Sequence, residues 1–170
     1  MSLTLFLIAG LASQGLTRQE CLHLVEYLQL VPRIVSAAHG DVLAFVHSES
    51  DGPLMVDTIS FASPPGLPSV RGVRLADLRR VLDPRAQLVS SGTEDCEQPL
   101  SLSCRIRGNG VFVRLDSLAE EDGTVVAWVT SLTTFRSLAA SSLCPRTNVL
   151  RFRRGSSDWV MLGSMLVRTC

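Results

Sequence analysis

The sequence predicts an α+β fold, a single mixed domain over residues 1–170 with antiparallel strands and short helices. Three observations point there. A stretch near the amino end carries apolar residues at helical spacing. The later segments alternate apolar and polar residues around Asp-Gly and Asn-Gly pairs. With 170 residues and 18.4 kDa, the chain suits one core rather than two.

The first element is read from "LTRQECLHLVEYLQLV". Thr17 and Glu20 have capping-box spacing, and Cys21, Leu24, Val25, Leu28 and Val31 form an apolar stripe. Pro32 is expected to end this helix. "DVLAFVHSESDGPLMVDTISFA" reads as two short strands around Asp51-Gly52, and the proline-rich "SPPGLPSVRG" as a connection. "VRLADLRRVLDP" is expected to be a short amphipathic helix. It turns Leu75, Leu78 and Leu82 inward and Arg74, Arg79 and Arg80 outward, and Pro84 stops it.

Residues 87–102 read as a polar loop. "LSCRIR" and "VFVRL" follow as strands joined by a hairpin turn at Gly108-Asn109-Gly110. The acidic turn in "LDSLAEEDGTVVAWV" is expected to join two strands rather than to display chemistry, with Trp128 in the core. "SLTTFRSLAASSLCP" reads as a weak helix stopped by Pro145, and "NVLRFRRGSSDWVMLGSMLV" as a terminal hairpin. Comparison of the halves raises a degenerate ββα repeat, residues 40–84 against 108–145, as a further organisation.

Composition narrows the chemistry. Basic and acidic residues number 16 each, so the formal charge is zero, and no electrostatic footprint for nucleic acid or anionic membrane follows. All 16 basic residues are arginine, which excludes lysine Schiff-base chemistry and a Walker lysine. The five cysteines form no CxxC pair and are expected to be reduced, buried thiols. "LTLFLIAGLA", residues 3–12, has the length of a signal-peptide core but no basic residue before it. It is too short for a transmembrane helix. An intracellular protein, in cytoplasm or nucleus, is the expectation, and secretion through this segment is the alternative.

Catalytic and metal motifs are sparse. "MVDTIS" lacks the glycine of an aspartic-protease loop. His39 and His47 with Cys96 or Cys104 have no compact metal-ligand spacing, so no metal and no cofactor are expected. The first choice for a thiol hydrolase is Cys96 with His47. The stronger candidates are "RLADLRR" and "RFRRGSSDW". Arginine and tryptophan make effective interface anchors, so a protein partner bound through Arg74, Arg79, Arg80, Arg153, Arg154 and Trp159 is the expected function.

The strand before Asp122-Gly123, the run Thr124–Val129 and "LTTFRSLAASSL" together resemble the SUKH-like superfamily, which includes a betaherpesvirus tegument and immune-evasion family. The resemblance covers residues 108–144 and, more faintly, 40–83. It implies an α+β partner-binding scaffold without catalytic residues, in a viral tegument or host-defence antagonist.

Overall fold

The computed structural model describes residues 22–46, 52–90, 94–96, 104–136 and 141–169. Leu22 and His23 lead into helix α1 (Leu24–Val46). Within it Tyr27, Leu30, Val31, Ile34, Val35, Ala38 and Val42 are all buried, and their three- and four-residue spacing makes one sealed stripe. Pro32 lies inside this helix instead of ending it, and residues 41–46 are its last turns rather than a strand. An interior proline costs about 3 kcal/mol. Burying each large aliphatic or aromatic side chain returns about 1.5–3 kcal/mol, and the stripe continues on both sides of Pro32. The Thr17–Glu20 capping box lies outside the described residues.

The chain continues through β1 (Leu54–Asp57), α2 (Thr58–Ala62), α3 (Leu75–Val81), β2 (Gln87–Val89), β3 (Glu94–Cys96) and β4 (Cys104–Ile106). Asp57 turns β1 into α2 by accepting from the amides of Ile59 and Ser60 at 3.3 and 3.1 Å, which satisfies two orphan donors of the helix. Four long strands complete the fold: β5 (Val111–Glu121), β6 (Thr124–Arg136), β7 (Ser141–Arg154) and β8 (Trp159–Arg168). One six-stranded sheet has the order β2-β1-β5-β6-β7-β8, and β3 and β4 form a separate pair. β1 runs parallel to β2 and β5, and β5 to β8 form an antiparallel meander. The fold is α+β.

The acidic turn joins strands, as expected. Asp122 and Gly123 both have positive φ, 49° and 71°, and Glu121 pairs with Thr124, the geometry of a two-residue hairpin. Glu120 is tied down because its carboxylate accepts from the Leu22 amide at 2.9 Å. Several other elements differ from the sequence reading. Residues 87–89 and 94–96 are strands rather than loop. Gly108 and Asn109 do form a tight turn at positive φ, yet β4 pairs with β3 while β5 pairs with β1 and β6. The turn therefore passes the chain from one sheet to the other.

The repeat is not formed. Residues 41–46 are helical where the second unit has β5, and β1 lies parallel to its neighbours where β5 and β6 form an antiparallel hairpin. The expected helix after β6 is also absent from the described residues. Residues 131–136 extend β6, and residues 141–145 begin β7 opposite them. Cys144, buried in β7, is disulfide-bonded rather than a free thiol.

The main core lies between α1 with α2 and α3 and the inner face of the sheet. A smaller cluster of Met55, Ile106 and Phe112, with Leu132 and Leu143 against it, lies where β4 meets the sheet. Polar ties close the larger layer. Tyr27 donates its hydroxyl hydrogen to the Phe61 carbonyl at 2.7 Å, and Asp41 accepts from Arg146 and Asn148 at 3.0 and 2.9 Å. Arg146 is itself almost fully buried, so this charge needs its carboxylate.

The start of β1 crosses the Gly108–Gly110 turn at very short range. A Cβ on Gly110 would lie 2.2 Å from the Pro53 carbonyl oxygen, and one on Gly52 2.3 Å from that of Asn109. Gly110 has φ −81°, so space rather than backbone conformation demands glycine there. Gly110→Ala is expected to lower unfolding stability by about 1–3 kcal/mol, the usual cost of overpacking. A urea midpoint equal to wild type would refute that crossing.

A second expectation concerns pH. His39, half-buried on α1, has its pKa lowered by loss of hydration. The unfolded chain then binds the proton more tightly, so stability should fall as pH drops through the ordinary value near 6.5 towards the folded one. Thermal melts at neutral pH and below should show that decline, and His39→Gln should remove this part of it.

Candidate docking surface

The β7–β8 hairpin is set by its turn. The Gly155 amide donates to the Asp158 carbonyl at 2.8 Å, and the Asp158 carboxylate accepts from the Trp159 amide at 2.7 Å and pairs with Arg33 on α1. These contacts, the Trp159 amide foremost and then Arg33, hold the Asp158 carboxyl below the usual carboxylate range. From this turn Arg154 pairs with Trp159, and the ladder runs to Thr147 opposite Arg168 with shifts at Leu162 and Val167.

Register then decides where each side chain points. Trp159 shares the inner face with Arg154 and Phe152. It is only 7% exposed, and its indole N–H donates to the Glu26 carbonyl of α1 at 3.1 Å. Arg154 forms an ion pair with the Glu26 carboxylate. These two residues, expected to anchor a partner, instead fasten the hairpin to α1. The physical reason is that an indole on the covered face of a sheet is desolvated by the helix above it. Arg153 takes the opposite face and is exposed.

Trp128 is the converse case. The pairing Trp128–Val149–Met165 runs across β6, β7 and β8 on the face away from α1, and Trp128 is 40% exposed rather than core. The two tryptophans thus exchange the places read from sequence.

The α3 arginines form a separate group. Arg74 donates to the Asp77 carboxylate through Nε at 3.0 Å and Nη2 at 3.2 Å, and the Arg74 amide bonds the same group at 3.1 Å. Arg80 approaches Asp77 at 3.8 Å. The Arg74 side-chain bond, followed by its amide, draws the Asp77 carboxyl below its ordinary range. Arg79 is exposed beside a shallow depression with Leu82, Asp83 and Pro84. Arg74 and Arg80 therefore share Asp77, whereas Arg154 and Trp159 share Glu26. His47 and the Cys96 side chain lie outside the described residues, although β3 sets the Cys96 backbone opposite Cys104. Among the described residues no group of three or more His, Cys, Asp or Glu is placed to hold a metal ion, and no helix is long and apolar enough to cross a membrane.

The feature that sequence reasoning missed is the rest of β8. Val160, Met161, Leu162, Met165, Leu166 and Val167 are each between 44% and 58% exposed. Among the described residues β8 ends the sheet, and no described strand lies beside its outer backbone donors and acceptors. Its signal was present in the sequence as an apolar run without period-two alternation, "WVMLGSMLV", which is the pattern of a strand covered on both faces. No family model, curated protein or solved structure matches the chain.

The tryptophan assignment is open to a direct optical test. With Trp128 replaced by Phe, the remaining Trp159 should emit at short wavelength and resist acrylamide quenching. With Trp159 replaced by Phe, Trp128 should quench readily. Trp159→Ala should cost about 3–5 kcal/mol and Trp128→Ala far less, and equal quenching of the two indoles would overturn the placement.

Proposed function

We propose that this chain is a non-enzymatic protein-interaction domain that receives a partner strand along β8. The observation that carries the reading is the coincidence of a strand edge unpaired among the described residues with six half-exposed apolar side chains on that strand. Main-chain bonds to the edge supply affinity in strand addition, and the flanking side chains supply selectivity. Exposed Arg153 and Arg151, beside Trp128 on the outer face, set the charge of the rim and orient the partner. Arg74, Arg79 and Arg80 are reserved for a separate, weaker contact, since Arg74 and Arg80 already share the Asp77 carboxylate.

The SUKH-like resemblance supports the same reading, because it implies a scaffold that works by binding, with a viral tegument or host-defence antagonist as its setting. The Cys144 disulfide favours an oxidising compartment and so supports the secretory alternative over an intracellular location.

Leu162→Asp combined with Met165→Asp changes only exposed side chains and is expected to leave the circular dichroism spectrum intact. Proteins retained by the immobilised wild-type chain, further copies of the chain included, should be lost from this folded variant. Retention of the same set by both would reject β8 as the docking edge, and Arg153→Ala alone should weaken capture without abolishing it.

A further inference from the structure

We infer that the occupant of the β8 edge is a second copy of this chain, docked antiparallel about a two-fold axis so that two six-stranded sheets become one continuous sheet. This rests on the reading of β8 as a docking edge and names what fills it.

The partner must satisfy both faces of the strand. Met161 and Leu166 stand on the α1 side, paired with Phe152 and Asn148, while Val160 and Met165 stand on the outer side, paired with Arg153 and Val149. An ordinary amphipathic strand, polar on one face, leaves half of these groups against polar neighbours. A strand that is apolar on both faces matches them, and β8 is such a strand. The other edge of the sheet, β2, has three residues against ten in β8, so it offers a ladder too short to cover it. Pairing β8 with β2 also leaves a free edge on every copy and grows without closing, whereas β8 with β8 closes after two.

Charge selects the antiparallel direction. Arg168 is the single charged residue of β8 and lies at its end. Antiparallel pairing centred on Gly163–Leu166 carries it opposite Met161 of the second copy and separates the two arginines by roughly 23 Å, at about 3.3 Å per residue. Parallel pairing sets them side by side. The shifts at Leu162 and Val167 leave Gly163–Leu166 as the regular stretch, which keeps the joint short and finite.

The area is sufficient. Half of six large apolar side chains is on the order of 500 Å², at the upper end of what a soluble monomer leaves exposed. With the edge backbone and Trp128 added, it approaches the roughly 800 Å² per partner of a standard interface.

Light scattering on the purified full chain over a range of micromolar concentrations should give twice the 18.4 kDa monomer mass, with a single monomer band on nonreducing electrophoresis. Met165→Asp and Met165→Arg should each weaken self-association about tenfold or more, because like charges meet across the joint. Mixing the two folded variants should restore it. A wild-type chain that stays at monomer mass, a dimer unaffected by either charge, a mixture that stays monomeric, or a dimer that disappears on reduction overturns self-pairing. If the wild type is monomeric but the Leu162→Asp/Met165→Asp chain loses its captured proteins, self-pairing fails and β8 docking stands. If neither mass nor capture responds to β8 substitution, both fail.

Discussion

The contact between α1 and the inner face of the β5–β8 meander organises the rest of the molecule. Its apolar stripe excludes water from that face, and two polar pins fix how the layers sit. Glu26 holds Arg154 and Trp159 near one end of the helix, and Asp41 holds Arg146 and Asn148 near the other. The pins are about 22 Å apart along the helix at 1.5 Å per residue, and Arg146 to Arg154 spans about 27 Å of strand at about 3.4 Å per residue. The two lengths are close enough for α1 to run alongside β7 in the opposite direction. A slip of one residue in β7 would send Arg146, Asn148 and Arg154 to the outer face together, so the pins also protect the strand register.

One helical layer, α1 with α2 and α3, covers one face, and the uncovered surfaces follow from that. The β4 strand closes the outer face around Phe112, Leu132 and Leu143. No corresponding cover lies over Trp128 among the described residues, and β8 has β7 on one side alone. The tight fastening of Trp159 at the start of β8 holds that strand in line with the sheet. A rigid, aligned edge is the form best suited to accept another strand, because little of its backbone must be ordered on binding.

The arginine chemistry divides along the same lines. Arginines that face α1 or cap α3 are spent on Glu26, Asp41 and Asp77. Those on the outer face, Arg151 and Arg153, stay in water and border the apolar surface. In a chain with no lysine, the planar, multidentate guanidinium serves as an internal clamp on one face and stays hydrated on the other.

Much of the local structure was legible in the residues themselves. The Asp122-Gly123 reversal, the terminal hairpin, helix α3 and the presence of a helix over residues 24–31 follow from backbone preferences and short-range spacing, which act within a few residues. The α+β class follows from these. The phase of that first helix does not: of the expected stripe from Leu24 to Val31, Val31 alone is sealed, Leu24 and Leu28 are half-buried and Val25 is exposed, while Tyr27, Leu30 and Ile34 face the sheet. What the sequence could not supply was the outcome of competition at longer range. Pro32 is carried through α1 because the buried stripe on either side outweighs its local cost, and the Gly108–Gly110 turn links two sheets because β5 takes β1 and β6 as its partners while β4 pairs with β3. Alternation told that Trp128 and its neighbours point to opposite faces, but not which face a helix would cover. That covering placed Trp159 inside and Trp128 outside, while strand order left β8 at the edge of the sheet among the described residues. Local spacing is set by bonded geometry, whereas the choice of a buried face is made only when distant segments exclude water from it.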